Sequence, residues 1–172
     1  MKGSTGGISK RSCNDGSDEL TTEGTEGTKP SVPSVPSVVI TLRAQMPSLI
    51  DEAKAARENA VAPFSKFKVG AALRTKGGKI FRGCNVENCT YGLTVCAERV
   101  ALLSALAAGE REFTSIAVVT QSEEPSTPCG PCRQLMWEYC GDIDVTLANL
   151  AGKKVEYKLA ELFPHPFSFS IE

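Results

Sequence analysis

Residues 128–133 read Pro-Cys-Gly-Pro-Cys-Arg. A Cys-Gly-Pro-Cys tetrapeptide at a helix N-terminus suits a thioredoxin-like disulfide exchanger. The same spacing serves as one half of a zinc site. The two readings demand different folds, so this stretch governs how the rest of the chain is read. A thioredoxin-like domain usually has a Trp just ahead of the first Cys and needs more sheet downstream. Only 40 residues follow Cys132, and the single tryptophan, Trp137, falls inside the helix that Pro131 opens. The metal reading is favoured.

Composition narrows the setting. The chain has 172 residues, 41% of them hydrophobic, enough for one cored domain with a tail. Residues 1–37 differ from the remainder: "TTEGTEGT" (21–28) and "SVPSVPSV" (31–38) are low-complexity. Apolar residues are too sparse there to offset the entropy of ordering, so we expect a disordered extension followed by a catalytic domain over 38–172. Asp15, Asp18, Glu19, Glu23 and Glu26 argue against an organelle transit peptide, which avoids acids. The part after the tail holds 15 basic and 15 acidic residues, scattered, which disfavours a nucleic-acid partner. No stretch approaches the ~20 apolar residues of a membrane span. Seven cysteines, an odd number without a secretory signal ahead of them, point to a reducing, cytosolic setting and to metal or catalytic use. Cys13, in the tail, is a bystander on this reading.

Periodicity supplies the elements. Leu49, Ala53, Ala56 and Ala60 recur at helical spacing over 46–62, with Ser48 and Asp51 set as a capping box and Pro63 as a stop. Phe67, Val69, Ala71 and Leu73 alternate as a strand, Gly77-Gly78 turns the chain, and 79–85 returns. "CAERVALLSALAA" (96–108) is a helix stopped by Gly109, and "FTSIAVVT" (113–120) an apolar strand. A helix from Pro131 to about Tyr139 precedes strands at 143–148 and 153–157 and a last helix. The order α-β-β-α-β-α-β-β-α describes an α/β domain with helices layered on a central sheet.

A third cysteine stands in a matching setting. Cys96 opens one predicted helix as Cys129 and Cys132 open another. Helix N-termini carry partial positive charge and favour thiolate, the metal-binding form. A closed structural site takes four protein ligands, whereas a catalytic one takes three and leaves a position for water. His165, the only histidine, lies in "FPHPF" and matches no ligand spacing. Cys84, Cys89 and Cys140 are available in principle as a fourth sulfur but read better as buried thiols behaving as small hydrophobes. Glu98 follows Cys96 by two, completing Cys96-Ala97-Glu98…Pro128-Cys129-Gly130-Pro131-Cys132. That is the signature of zinc-dependent deaminases, in which a glutamate that does not bind the metal shuttles protons. Three thiolates around Zn²⁺ leave a net negative centre, and the neighbouring Arg99 is placed to donate to the sulfurs.

From about residue 46 onward the chain resembles the small, homotetrameric class of cytidine deaminases, in "FSKFKVGAAL" (64–73), "GCNVENCTYG" (83–92), "CAERVAL" (96–102), "PCGPCRQLM" (128–136) and "ELFPHPF" (161–167). The resemblance implies a three-layer α/β/α fold with a mixed, mainly five-stranded sheet. It implies one Zn²⁺ per subunit on Cys96, Cys129 and Cys132, Glu98 as the catalytic proton shuttle and Arg99 behind the sulfurs. It also implies hydrolytic deamination of cytidine and 2′-deoxycytidine in pyrimidine salvage. Asn85 and Glu87 match positions that bind the ribose, Phe67 an aromatic against the base, and the Ala97 amide a donor to its O2. Tyr91 matches a residue closing the pocket across a subunit boundary, and Phe167 an aromatic lent by a neighbouring subunit. Cys89 stands where this pocket usually has a small residue, and Ser168 where a glycine is frequent. Rival readings are a deaminase of another aminated heterocycle such as blasticidin S, which the "NVEN" ribose patch disfavours, a nucleic-acid editor, and a non-enzymatic zinc module with four protein ligands.

Overall fold

The computed structural model describes residues 48–168; the expected extension over 1–37 lies outside the described residues, as does Cys13. Helix α1 spans Leu49–Glu58, strand β1 Gly70–Thr75, β2 Ile80–Cys84, α2 Ala97–Ala107, β3 Phe113–Thr120, α3 Gly130–Cys140, β4 Asp144–Asn149, β5 Lys154–Lys158 and α4 Leu159–Leu162. The sheet order is β2-β1-β3-β4-β5. β3 and β4 run parallel, and every other neighbouring pair is antiparallel. The mixed five-stranded sheet is as expected.

Side-chain alternation makes the layers. Ala71 and Leu73 of β1, Ile116 and Val118 of β3, and Val145 and Leu147 of β4 face Ala97, Ala101, Leu102 and Ala105 of α2 and Met136 of α3. The intervening residues Ala72, Ala117, Val119 and Ala148 point to the opposite face and meet Ala53 of α1. The middle strand β3 is buried from Ile116 to Thr120, which is why its sequence is a continuous apolar run rather than an alternation.

Two glycines let the helices press close. A Cβ on Gly70 would stand 2.0 Å from the Ala53 carbonyl oxygen, and one on Gly83 would stand 2.3 Å from that of Ala97. Only a bare backbone fits either place. Gly83 thereby seats the first turn of α2 directly on β2.

Three local expectations shift. α1 ends at Glu58, four residues early, because Val61 leaves the helix to bridge Val86, donating to the Asn85 carbonyl at 3.0 Å. Ser48 takes the N-cap position but its side chain makes no capping bond, so the expected capping box with Asp51 is not formed. The strand expected from Phe67 begins at Gly70, because Lys66 adopts φ 59° and the Asn85 side chain takes over the backbone groups of Phe67 and Val69. By contrast, Gly109 stops α2 at φ 88° and Gly78 turns the hairpin at φ 85°.

Candidate metal centre and active site

Cys96 and Cys129 occupy the same position on two helices. Each is an N-cap with extended backbone, at ψ 154° for Cys96 and ψ 162° for Cys129, and each side chain hangs at the mouth of its helix. Cys132 follows in the first turn of α3 and is fully buried. The parallel pairing of β3 with β4, crossed over by α3, brings the two helix mouths together. The three sulfurs lie within 4.8 Å of one another. Cys96 and Cys129 are 3.8 Å apart and Cys129 and Cys132 3.1 Å. Tetrahedral zinc with Zn–S near 2.3 Å asks for sulfurs about 3.8 Å apart, so the first pair matches and the second sits closer.

The charge around the sulfurs is prepared for a cation. The hydrogen bond from Cys132, then that from Arg99, hold the Cys96 thiol down to about 5. Cys132 is pushed far up by its bond with Cys96 and by burial. With only protons to share, Cys96 is favoured as thiolate at the expense of Cys132; a divalent cation relieves that conflict. Arg99 donates through Nη2 to Cys96 Sγ at 3.6 Å and to the Thr94 carbonyl at 2.9 Å. The Arg133 guanidinium fixes the approach to α3, reaching the Pro128 carbonyl at 2.7 Å, Thr127 Oγ1 at 2.9 Å and the Leu162 carbonyl at 2.7 Å.

Glu98 sits one step inside α2, 5% exposed. Burial pushes its carboxyl up to about 7, opposed by a backbone hydrogen bond and reinforced by charge on Cys96. A carboxyl titrating there both accepts and returns a proton near neutrality. Glu98 and Cys96 open onto a cavity of ≈ 280 Å³ that Phe67, Asn85, Glu87 and Ala97 also line. An adjoining cavity of ≈ 420 Å³ shares Ser65, Glu87 and Thr94 with it and adds Phe64 and Tyr91. Together they fall in the ~300–1,000 Å³ range of small-molecule sites. A larger furrow of ≈ 650 Å³ beside α1, lined by Arg74, Thr146 and Glu156, holds neither the thiols nor Glu98.

The polar wall is tightly tied. The Asn85 amide accepts from Val69 N at 2.8 Å and donates to the Phe67 carbonyl at 2.8 Å, which leaves one N–H of Nδ2 for a ligand. Glu87 accepts from Phe64 N at 2.9 Å, Ser65 N at 3.2 Å and the Ser65 hydroxyl. That hydroxyl bond, first among several, lowers its carboxyl below the ordinary value. The amide of Ala97 opens α2, where a helical N–H has no intrahelical acceptor.

Other expected residues stand apart. Cys89 is exposed in the turn after Asn88, 3.9 Å from that residue's Oδ1, and lines neither cavity; the expectation of a buried thiol is corrected there, because the Asn88 amide folds the turn outward through Thr90. Cys84 is half-buried against the Asn59 carbonyl, and Cys140 packs on the core, where burial pushes its thiol up to about 12. Tyr91 (φ 55°) is 77% exposed and Phe167 72% exposed. Gln134 pins Phe167 by both backbone groups, at 2.8 and 2.9 Å. Sequence reasoning missed Ser65, Thr120, Ser126 and Thr127 in the cavity wall. Ser65 lies within a quoted motif and Thr127 beside one, but nothing local announces that a hydroxyl there faces the cavity.

Comparison with known proteins agrees with this geometry. Residues 44–147 match the family model described as "Cytidine and deoxycytidylate deaminase zinc-binding region". A cytidine deaminase of Sporosarcina psychrophila is 50% identical over 121 residues, 70% of this chain and 89% of the relative. One of Halalkalibacterium halodurans is 50% identical over 121 residues, 70% of this chain and 92% of the relative. The crystal structure of cytidine deaminase from Burkholderia pseudomallei aligns with TM-score 0.68 at 54% identity, covering 69% of this chain and 96% of that one. Three thiols converging from two helix ends, a buried glutamate beside them and this match over most of the described residues together make the chain a member of the cytidine and deoxycytidylate deaminase zinc-binding family.

Proposed function

We propose that the chain hydrolyses cytidine and 2′-deoxycytidine to uridine and 2′-deoxyuridine, as a salvage enzyme. The supporting observation is a cluster of three thiols, one of which, Cys96, lines together with the buried Glu98 carboxyl the cavity that Glu87 and Asn85 also line. Cys96, Cys129 and Cys132 would hold Zn²⁺, one per subunit, with Arg99 offsetting the excess negative charge. Bound zinc supplies Lewis acidity, lowering the pKa of a water toward ~7.

The chain's own residues carry the protons. Glu98 accepts one from the attacking water and delivers it to N3 of the pyrimidine. Having released that proton, Glu98 takes a second one from the hydroxyl now on C4 and passes it to the exocyclic amine; the C4–N4 bond breaks, ammonia leaves, and C4 keeps the oxygen as a carbonyl. Its near-neutral carboxyl supports both transfers. The Ala97 amide receives O2 of the base, and Phe67 packs against the ring. The remaining Asn85 N–H and the Glu87 carboxylate receive the ribose hydroxyls; the bonds that Ser65 and Phe64 make to Glu87 keep it charged for that task.

The assembly in this reading is a homotetramer. Tyr91 and Phe167 project from the surface, as groups that complete a neighbour's site must. Cys89, exposed on the same loop as Tyr91, reaches a nucleoside only in such an assembly. The thiol ligands require a reducing compartment, which supports the cytosol. No helix among the described residues is long and apolar enough to cross a membrane.

The test is direct: purify the full chain, measure zinc per subunit, follow cytidine absorbance as uridine forms, and size the sample. One zinc and uridine production are expected. A metal-free protein with a reversible Cys129–Cys132 bridge, or a zinc protein inert toward cytidine, overturns the reading.

A further inference from the structure

One wall of the cavity is a segment mostly outside the ladder. Phe67 and Val69 line the cavity, yet β1 starts only at Gly70. One backbone bond, from Asn85 N to the Val69 carbonyl at 3.2 Å, reaches it, and side chains supply the rest. On the cavity side Asn85 takes Val69 N and the Phe67 carbonyl. On the outer side Arg57, 7% exposed at the end of α1, donates through Nε to the Lys68 carbonyl at 3.1 Å and through Nη2 to Gln121 Oε1 at 2.7 Å. Gln121, just past β3, returns Nε2 to the Lys66 carbonyl at 3.1 Å. The carbonyls on either side of Phe67 are thus held by one buried guanidinium and one amide, each fixing the other. Lys66 adopts φ 59°, so the turn into Phe67 is one that a non-glycine residue does not hold unaided.

We propose that Arg57 and Gln121, which line neither cavity, are positioning residues that set Phe67 against the pyrimidine. This rests on the nucleoside reading above. Gln121 acts at both ends: its oxygen orients Arg57 and its N–H₂ draws in the Lys66 carbonyl. Loss of the second contact leaves the turn at Lys66 free to relax while α1, β1 and the thiols stay put. The consequence is weaker substrate binding with the metal centre intact.

Gln121→Ala removes both contacts, and Gln121→Glu keeps an acceptor for Arg57 while setting an oxygen against the Lys66 carbonyl. Gln121 is exposed, so both variants fold. The zinc-loaded full chains are compared with wild type in two assays. Limited trypsin digestion, with cut sites mapped by mass, reports cleavage after Lys66 and Lys68 without reference to any substrate. Steady-state kinetics with cytidine separate KM from kcat. We expect faster cleavage at those two lysines and a KM raised about fivefold, the scale of one lost hydrogen bond, with kcat within about twofold. Zinc content remains that of wild type, and the melting temperature falls by no more than about 5 °C. Unchanged cleavage overturns the clamp. Faster cleavage with an unchanged KM overturns its role in substrate positioning, as does a loss of kcat that follows a larger fall in melting temperature. If wild type itself fails to deaminate cytidine, the nucleoside reading falls and the digestion still decides whether the clamp exists.

Discussion

Replacing Gly83 with alanine presses a methyl group into the backbone of α2. The new Cβ would stand 2.3 Å from the Ala97 carbonyl oxygen and 2.4 Å from Ala101 N. Ordinary carbon–oxygen approach is about 3.3 Å, so the first turn of α2 must retreat by roughly 1 Å. Both atoms struck are backbone, and no side chain can yield in their place. That turn carries Cys96, Ala97 and Glu98, while Cys129 and Cys132 ride on a different helix. The retreat therefore moves one sulfur and the carboxyl away from the other two sulfurs. A misplacement of this size costs on the order of 10²-fold in turnover. Overpacking of this kind costs about 1–3 kcal/mol, which lowers the melting temperature by roughly 3–10 °C. Zinc per chain, melting temperature and kcat for cytidine are measured together. Gly77→Ala is the control, because the nearest atom to its Cβ is Thr75 Oγ1 at 3.8 Å, and it leaves all three near wild type. Full zinc and wild-type kcat in Gly83→Ala would refute the argument that close seating of α2 sets the centre.

Three further outcomes follow from the same geometry. Glu98→Gln keeps the side chain's shape but removes the carboxyl proposed to shuttle protons; zinc content is expected to stay near one per chain while kcat falls by about 10²–10⁴-fold, and substantial residual turnover removes Glu98 from the mechanism. Arg99→Ala takes the donor from Cys96 Sγ, so zinc dissociates faster in a chelator competition, whereas Arg99→Lys restores charge and recovers part of the retention. Cys132→Ser removes a fully buried sulfur of the proposed zinc site; zinc binding and activity are expected to be lost together, and added zinc rescues wild type after chelation but not this variant.

The spacing Cys96-x-Glu98 and Cys129-x-x-Cys132 was readable because each half is local: both halves sit at the mouth of a helix whose start is written in the flanking residues. The strand "FTSIAVVT" was readable for a related reason, since a strand covered on both faces must be apolar throughout. Phe67 misled, its alternation with Val69 suggesting continuous ladder pairing where one backbone bond at Val69 and the Asn85 side chain do the holding. Cys89 misled as well, because burial of a thiol depends on which way a turn faces, and an Asn88 side chain decides that.

What the sequence determined by itself was the set of chemical groups and their local frames: three thiols, one glutamate two residues from the first, and helices that begin where those groups stand. Such features depend on residues a few positions apart, and pattern along the chain expresses them. Tertiary structure alone decided the contacts made across long separations. Cys96 meets Cys129 across 33 residues, and Arg57 meets Gln121 across 64. Each such meeting depends on the order of strands in the sheet and on two glycines thin enough to let helices settle against it. Distances of a few tenths of an ångström between side chains remote in sequence are set by packing of the whole domain, and no short stretch of residues encodes them.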